Sequence, residues 1–333
     1  MRAVVLVGGF GTRLRPLTNT TPKPMLPVVN RPMIEHLVGG LARAGITEVT
    51  LALGFKPEPF VQAFPDGVCA GVRLEYAVEP EPLDTAGAIR FAASHAGIDD
   101  TFVVANGDIM TDLDVSKLID AHRAAGAEAT IHVYPVDDPS AFGVVELDDD
   151  QRVLRFVEKP SPDEAPSNLI NAGTYVLEPS VLPRIATDRK VSIERETFPA
   201  IVADGGLFAY PADVYWLDTG RPEFYLQANL DVLAGRRAHI SDAGAIDPAA
   251  RIDDGATVVR SVVGAGCVIG TGATVEDSVV LPGGCIEPGA VVRRSIVAGV
   301  VGRGASLLDV VVGADGTVPA DGVLSDIRVP QAG

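Results

Sequence analysis

A 17-residue repeat in the last third of the chain most restricts how it can fold. Ser261-Val262-Val263, Ser278-Val279-Val280 and Ser295-Ile296-Val297 stand 17 positions apart. Within two of these units Gly266 matches Gly283, Ile269 matches Ile286, Gly272 matches Gly289 and Val275 matches Val292. Just before them, apolar residues recur at every sixth position, Ile246, Ile252 and Val258. Short apolar strands separated by glycine turns, once per coil, predict a stack in which each coil covers the next, a parallel β-helix. A disordered tail has no reason to hold valine and isoleucine in register. The unit from Asp309-Val310-Val311-Val312 is less regular and is a candidate cap.

Up to about residue 236 the pattern is different. Val4-Val5-Leu6-Val7, Val49 to Leu53, Phe102 to Ala105, Ala129 to Tyr134 and Phe142 to Val145 read as strands. Met33 to Ala44 carries apolar residues at Met33, Ile34, Leu37, Val38 and Leu41, a helical stripe. Thr85 to Ala96 and Val115 to Ala125 are further helices. This alternation predicts an α/β fold, a Rossmann-like, mostly parallel sheet flanked by helices. Ligands in such sheets sit beyond the carboxyl ends of the strands. Two domains are therefore expected, 1–236 and 240–333.

At the end of the first strand stand Gly8-Gly9-Phe10-Gly11-Thr12-Arg13-Leu14-Arg15-Pro16-Leu17-Thr18 and then Pro22-Lys23-Pro24. Glycines there let the backbone approach a ligand closely. Their N–H groups, with arginine behind them, suit phosphate. The dinucleotide fingerprint is excluded, because Leu14 stands where its third glycine belongs. The Gly-Lys-Ser/Thr ending of a P-loop is absent as well.

Charge narrows the partners. With 44 acidic and 27 basic residues the net charge is −17, which argues against nucleic acid. Three cysteines, Cys69, Cys267 and Cys285, show neither a CxxC pair nor a metal spacing, consistent with reduced thiols in a cytoplasmic protein. Met1 leads straight into a strand without a leader pattern, and no apolar stretch reaches membrane length.

Two acids follow apolar runs. Asn106-Gly107-Asp108 ends a strand, and Trp216-Leu217-Asp218-Thr219-Gly220 is a second such place. Either is a turn or cap by composition, and either could hold Mg²⁺, which takes one or two carboxylates plus substrate phosphates. Glu158-Lys159-Pro160 closes another strand, as a solvated pair or an edge stopped by proline. The five histidines show no pairing and suit structural or surface roles.

The long, gapless run from Gly8 to Pro24 resembles the signature of the sugar-1-phosphate nucleotidyltransferases, roughly G-G-x-G-T-R-L-x-P-L-T followed by P-K-P. That resemblance implies transfer of a nucleotidyl group from an NTP to a sugar-1-phosphate, with pyrophosphate released. It implies nucleotide contacts from Leu6, Gly8, Gly9, Gly11, Thr12, Arg13, Lys23, Asp84, Thr85, Gly87 and Asp108. The family's aspartate after the central strand and its W-x-D-x-G run make Asp108 and Asp218 the expected Mg²⁺ ligands. Its E-K-P, N-A-G-x-Y and F-G-V runs assign the sugar phosphate to Glu158, Lys159, Asn171, Gly173 and Gly143. Arg13, Lys23, Asp108, Lys159 and Asp218 are the expected catalytic set. Asp84 departs from the pattern, standing where P-L-G-T-A-G has glycine. It is read as a helix N-cap or as an acceptor for guanine. By composition the run Ser192-Ile193-Glu194-Arg195-Glu196-Thr197-Phe198-Pro199 reads as a capped helix start, with Glu194 and Glu196 suited to its positive end, and it is similar to one frequent in mannose-1-phosphate guanylyltransferases.

GTP and mannose-1-phosphate are therefore the expected substrates. Alternatives are thymidylyl or uridylyl transfer to glucose-1-phosphate and guanylyl transfer to a heptose or cyclitol phosphate. The repeat region resembles the left-handed hexapeptide-repeat helix, which also occurs in acyltransferases. That chemistry needs a base between coils, and only His239 lies near. A catalytically silent regulatory paralogue is the third reading, against which the intact Arg13, Lys23 and aspartates argue. Self-association through the β-helix is expected.

Overall fold

The computed structural model describes residues 1–9, 11–54, 57–237 and 244–330. The chain forms two compact units, one of residues 1–9 with 37–216, the other of 10–36 with 217–333.

The first unit is built on a ten-stranded sheet. Its centre is strand Arg2–Leu6, parallel to Glu48–Leu53 on one side and to Phe102–Asn106 on the other. Val72–Val78 extends the parallel half beyond Glu48–Leu53. On the far side the sheet turns antiparallel. Leu169–Leu177 pairs with Phe102–Asn106 and with Ala129–Pro135, and Gly143–Leu147 pairs with Val153–Glu158. Central strands covered on both faces are continuous apolar runs, as Val4, Val5, Val103 and Val104 at 0% exposure show. Helices Asp84–His95 and Val115–Ala125 fall within a residue of the positions expected from the sequence. Asp114 caps the second by accepting from Ser116 N, and Gly126 ends it in the left-handed conformation. Aromatics are few, so aliphatic side chains fill the core, with Tyr175 and Phe198 meeting edge to face at 5.1 Å.

The second unit combines helix Pro222–Leu233 with three parallel five-stranded ladders. They make the left-handed β-helix of hexapeptide repeats expected from the spacing. The repeat aligns residue on residue, Val262 beside Val279 and Val279 beside Ile296. The next step is shorter, because Ile296 pairs with Val311, yet the ladder continues to Arg328. The irregular unit from Asp309 is thus one more coil, followed by another. Interior Ser261, Ser278 and Ser295 form their own ladder. Ser278 N donates to Ser261 Oγ and Ser295 N to Ser278 Oγ, each at 3.0 Å. Residues 10–36 pack in this unit too. Val29 N donates to Asn229 Oδ1 at 2.9 Å, and the Tyr225 hydroxyl donates to Pro27 O. Among the described residues no helix is long and apolar enough to cross a membrane.

Candidate active site

In the first unit the ends of two neighbouring parallel strands carry the expected loops. Leu6 lies opposite Asn106, and Gly107 N donates to Leu6 O at 2.9 Å. Gly8-Gly9 and Gly107-Asp108 therefore leave the sheet side by side, as predicted for its carboxyl edge.

Gly143 and Glu158 are direct partners across an antiparallel pair. The next residue, Lys159, has φ +51 and donates its N–H to Phe142 O at 2.9 Å. A lysine in the left-handed region is unfavourable by itself and persists because the surrounding turn holds it. Its ammonium is 3.7 Å from Glu158 Oε1. Burial pushes the Glu158 carboxyl up, and the nearby Glu194 carboxylate adds to this, against the pull of Lys159 and Arg195. Asn171 joins the same end of the sheet. Its Oδ1 accepts from Gly173 N at 3.2 Å, and its Nδ2 donates to the Tyr175 hydroxyl at 3.0 Å. Trp216 donates Nε1–H to Ala172 O at 2.9 Å and stacks on Tyr134 at 5.4 Å.

Asp84, Thr85 and Gly87 open helix Asp84–His95. Asp84 is no ordinary N-cap. It has φ +62, and its carboxylate accepts from the adjacent Thr85 N at 2.8 Å, because Leu83 holds the position before the helix. Thr85 ties this loop to the run near residue 193. Thr85 Oγ1 donates to Glu194 Oε2 at 2.7 Å and accepts from Ile193 N at 2.8 Å. Ser192 Oγ also donates to Glu194, at 2.8 Å. The segment is one π-helical turn, Ile193–Thr197, leading into helix Phe198–Ala203. Glu194 thus serves as an acceptor between two loops rather than as a charge at a helix start. The sequence held no local signal for this, since Thr85 and Glu194 are 109 residues apart. Glu79 is a further residue that pattern reading passed over. It is 7% exposed, accepts from Leu83 N at 2.9 Å, and has its carboxyl pushed up by burial.

The second unit holds Arg13, Lys23 and Asp218. Gly11 at φ +59 turns the chain into the short helix Thr12–Leu14, and Thr18 Oγ1 donates to Gly11 O at 2.7 Å. Lys23, 6% exposed, begins a further such turn, Lys23–Met25. Asp218 lies against both cations, with Lys23 Nζ at 3.5 Å and Arg13 Nη2 at 3.9 Å. It also accepts from Gly220 N at 2.8 Å. A Cβ at Gly220 would stand 2.6 Å from Arg13 Nη2, so any larger residue there would displace that guanidinium. Arg13, Lys23 and Asp218, far apart in sequence, are therefore one cluster.

Among the described residues no group of three or more histidine, cysteine, aspartate or glutamate side chains could cage a metal. A divalent cation here would draw on one or two carboxylates and on substrate phosphates, the donor set Mg²⁺ prefers. His239, the conceivable acyltransfer base, and Phe10 of the glycine run lie outside the described residues.

The model of the nucleotidyl transferase family matches residues 2–235, and that of the GlmU-like C-terminal hexapeptide matches residues 235–317. A mannose-1-phosphate guanylyltransferase of Mycobacterium tuberculosis is 42% identical over 281 residues, 80% of this chain and 76% of that protein. A mannose-1-phosphate guanyltransferase of Aspergillus fumigatus is 48% identical over 230 residues, 68% of this chain and 62% of that protein. Among solved structures, a putative glucose-1-phosphate thymidylyltransferase from Bacillus anthracis superposes with a TM-score of 0.65 at 25% identity, covering 73% of this chain and 98% of that one. HddC from Yersinia pseudotuberculosis, in a complex with GMP-PN, superposes with a TM-score of 0.57 at 29% identity, covering 68% of this chain and 97% of that one.

Proposed function

Because the chain belongs to the nucleotidyl transferase family, we propose that it transfers a guanylyl group from GTP to mannose-1-phosphate, giving GDP-mannose and pyrophosphate. The observation that carries this reading is the cluster of Arg13, Lys23 and Asp218, two cations and an acid at the phosphate loop. The guanylyl and mannose choices lean on relatives of that name at 42% and 48% identity.

The reaction joins two anions, so the protein must neutralise and align them. The sugar phosphate oxygen attacks the α-phosphorus in line, and pyrophosphate departs without a covalent enzyme intermediate. Arg13, with Leu6 and the backbone of Gly8, Gly9, Gly11 and Thr12, holds the triphosphate and stabilises the leaving group. Lys23 neutralises charge near the reacting phosphorus. Asp84, Thr85 and Gly87 lie along the base. Lys159 holds the incoming phosphate, while Gly143, Glu158, Asn171 and Gly173 meet the sugar. Asp108 and Asp218 are the proposed ligands of Mg²⁺, which would offset phosphate charge and orient the nucleophile. In this reading 1–236 is the catalytic domain, 240–333 is an assembly domain that builds a homo-oligomer, and the protein works in the cytoplasm.

The test is pyrophosphate release from the full chain over the common NTPs and a panel of sugar-1-phosphates. GTP with mannose-1-phosphate should give the highest kcat/KM. Preference for dTTP or UTP with glucose-1-phosphate would overturn the specificity, and no release from any pair would overturn the activity.

A further inference from the structure

The final coils of the β-helix reach back to the amino-terminal phosphate loop. Arg328 Nη1 donates to two carbonyl oxygens at once, Arg13 O at 2.9 Å and Arg15 O at 2.8 Å. One coil earlier Gly313 passes Pro16 so closely that a Cβ would lie 2.6 Å from Pro16 Cβ. Gly313 N donates to Val329 O at 2.7 Å, so both contacts belong to adjoining rungs. The other end of the same segment is also held. Asn30 Nδ2 donates to Gly244 O at 2.9 Å and to Val263 O at 3.2 Å in the opening coils. The stretch carrying Arg13 and Lys23 is thus gripped at both ends by the repeat.

We propose that Arg328 is a positioning residue for nucleotidyl transfer, holding the loop of residues 11–16 so that Arg13 presents its guanidinium beside Asp218. The kinetic part of this inference rests on the proposed activity. Two facts favour a role in geometry over one in bulk stability. The turn Thr12–Leu14 is a single short 3₁₀ segment, closed by Leu14 N to Gly11 O and Arg15 N to Thr12 O. Segments of this length are marginal unaided. The Arg13 side chain is 59% exposed, so its direction follows its backbone more than its packing. A guanidinium bridging the carbonyls of Arg13 and Arg15 fixes that backbone, and its planar donors suit the task better than an ammonium. The β-helix then does more than provide surfaces for assembly, because its last coils set the aim of a phosphate-binding cation.

The test uses full-length wild type, Arg328→Ala, Arg328→Lys, Gly313→Ala, Arg13→Ala and the Arg13→Ala/Arg328→Ala double variant. Arg328→Ala should speed hydrogen exchange of the Leu14 and Arg15 amides. It should raise KM for the NTP by about tenfold or more, on the scale of a small misplacement, while KM for the sugar phosphate stays within about twofold. In the Arg13→Ala background the same change should add little, since both act through one group. Arg328→Lys should fall between wild type and Ala. If Arg328→Ala does not fold, Arg328→Lys and Gly313→Ala decide by the same readouts. Unchanged exchange at Leu14 and Arg15 would overturn the proposal. So would additive losses in the double variant, or equal changes in both KM values that merely follow a lower thermal midpoint. A wild type inactive with every substrate pair would remove the proposed activity, and the exchange data would still decide whether Arg328 holds the loop.

Discussion

Asp218 places a carboxylate oxygen 3.5 Å from the ammonium of Lys23, a lysine only 6% exposed and 195 residues away in sequence. A charge taken so far out of water is expensive unless paired. Asp218 supplies that pairing, and in the proposed reaction the same ammonium meets substrate phosphate. Lys23→Met should lower turnover roughly a hundredfold or more, the scale of one lost transition-state contact, with KM for the sugar phosphate little changed. Asp218→Asn should produce a loss of similar size. Steady-state kinetics with a thermal melt on each variant is the check, and near-wild-type turnover in either would remove that residue from the mechanism.

The Thr85 hydroxyl both donates to Glu194 and accepts from Ile193 N. Thr85→Val keeps the shape and deletes both bonds, leaving a backbone donor without its acceptor. The expected cost is about 1–3 kcal/mol, with a higher KM for the NTP and recovery in Thr85→Ser. Chemical denaturation measures the first and initial rates the second. A valine variant as stable as wild type would show that the bridge contributes nothing.

His132 is fully buried, with Nε2 3.5 Å from Ala212 O. Burial pulls its imidazole down to about 4 from an ordinary 6.5. The folded state thus resists the proton that the unfolded chain accepts first. Stability is fully present above pH 6.5 and is lost as pH falls toward 4, by on the order of 3 kcal/mol. His36 is shifted the same way, again chiefly by burial. The melting temperature of wild type should fall faster between pH 6.5 and 4 than that of His132→Leu. Parallel pH curves for the two proteins would contradict this.

In the β-helix, Ser278 Oγ donates to Glu276 O at 2.7 Å and accepts from Ser295 N at 3.0 Å, inside a rung with no exposure. Ser278→Ala leaves the buried Ser295 N–H without that acceptor and should destabilise by about 1–3 kcal/mol. Exposed Arg260, which pairs with Asp277 on the outer edge, gives the contrast. Arg260→Ala should destabilise clearly less than Ser278→Ala, because an exposed ion pair is screened by water. Urea melts of both variants test the ranking, and reversal would mean that the outer charges, not the inner serines, hold the coils.

Much of this was legible in the chain. Helix Met33–Arg43 follows from its apolar stripe, and the buried strand Arg2–Leu6 from its valines. The coil spacing was plain from Ser261, Ser278 and Ser295, and the shorter step to Val310 was readable only as irregularity. The site residues were found as motifs, each beside its own strand or turn. What the motifs lacked was partnership. Glu194 looked like a charge at a helix start, and its role as acceptor for Thr85 depends on two loops meeting.

Amino-acid order settled whatever depends on near neighbours. It set the strand and helix periods, the left-handed turn at Gly11, the coil repeat, and the kinds of side chain offered to phosphate. Packing alone decided which distant groups share a place. Arg328 lies 315 residues beyond Arg13, and the segment of residues 10–36 packs with the coils although it leaves the sheet's central strand. Periodicity is a property of a few adjacent residues, whereas these contacts exist only once whole elements have buried their apolar faces against one another.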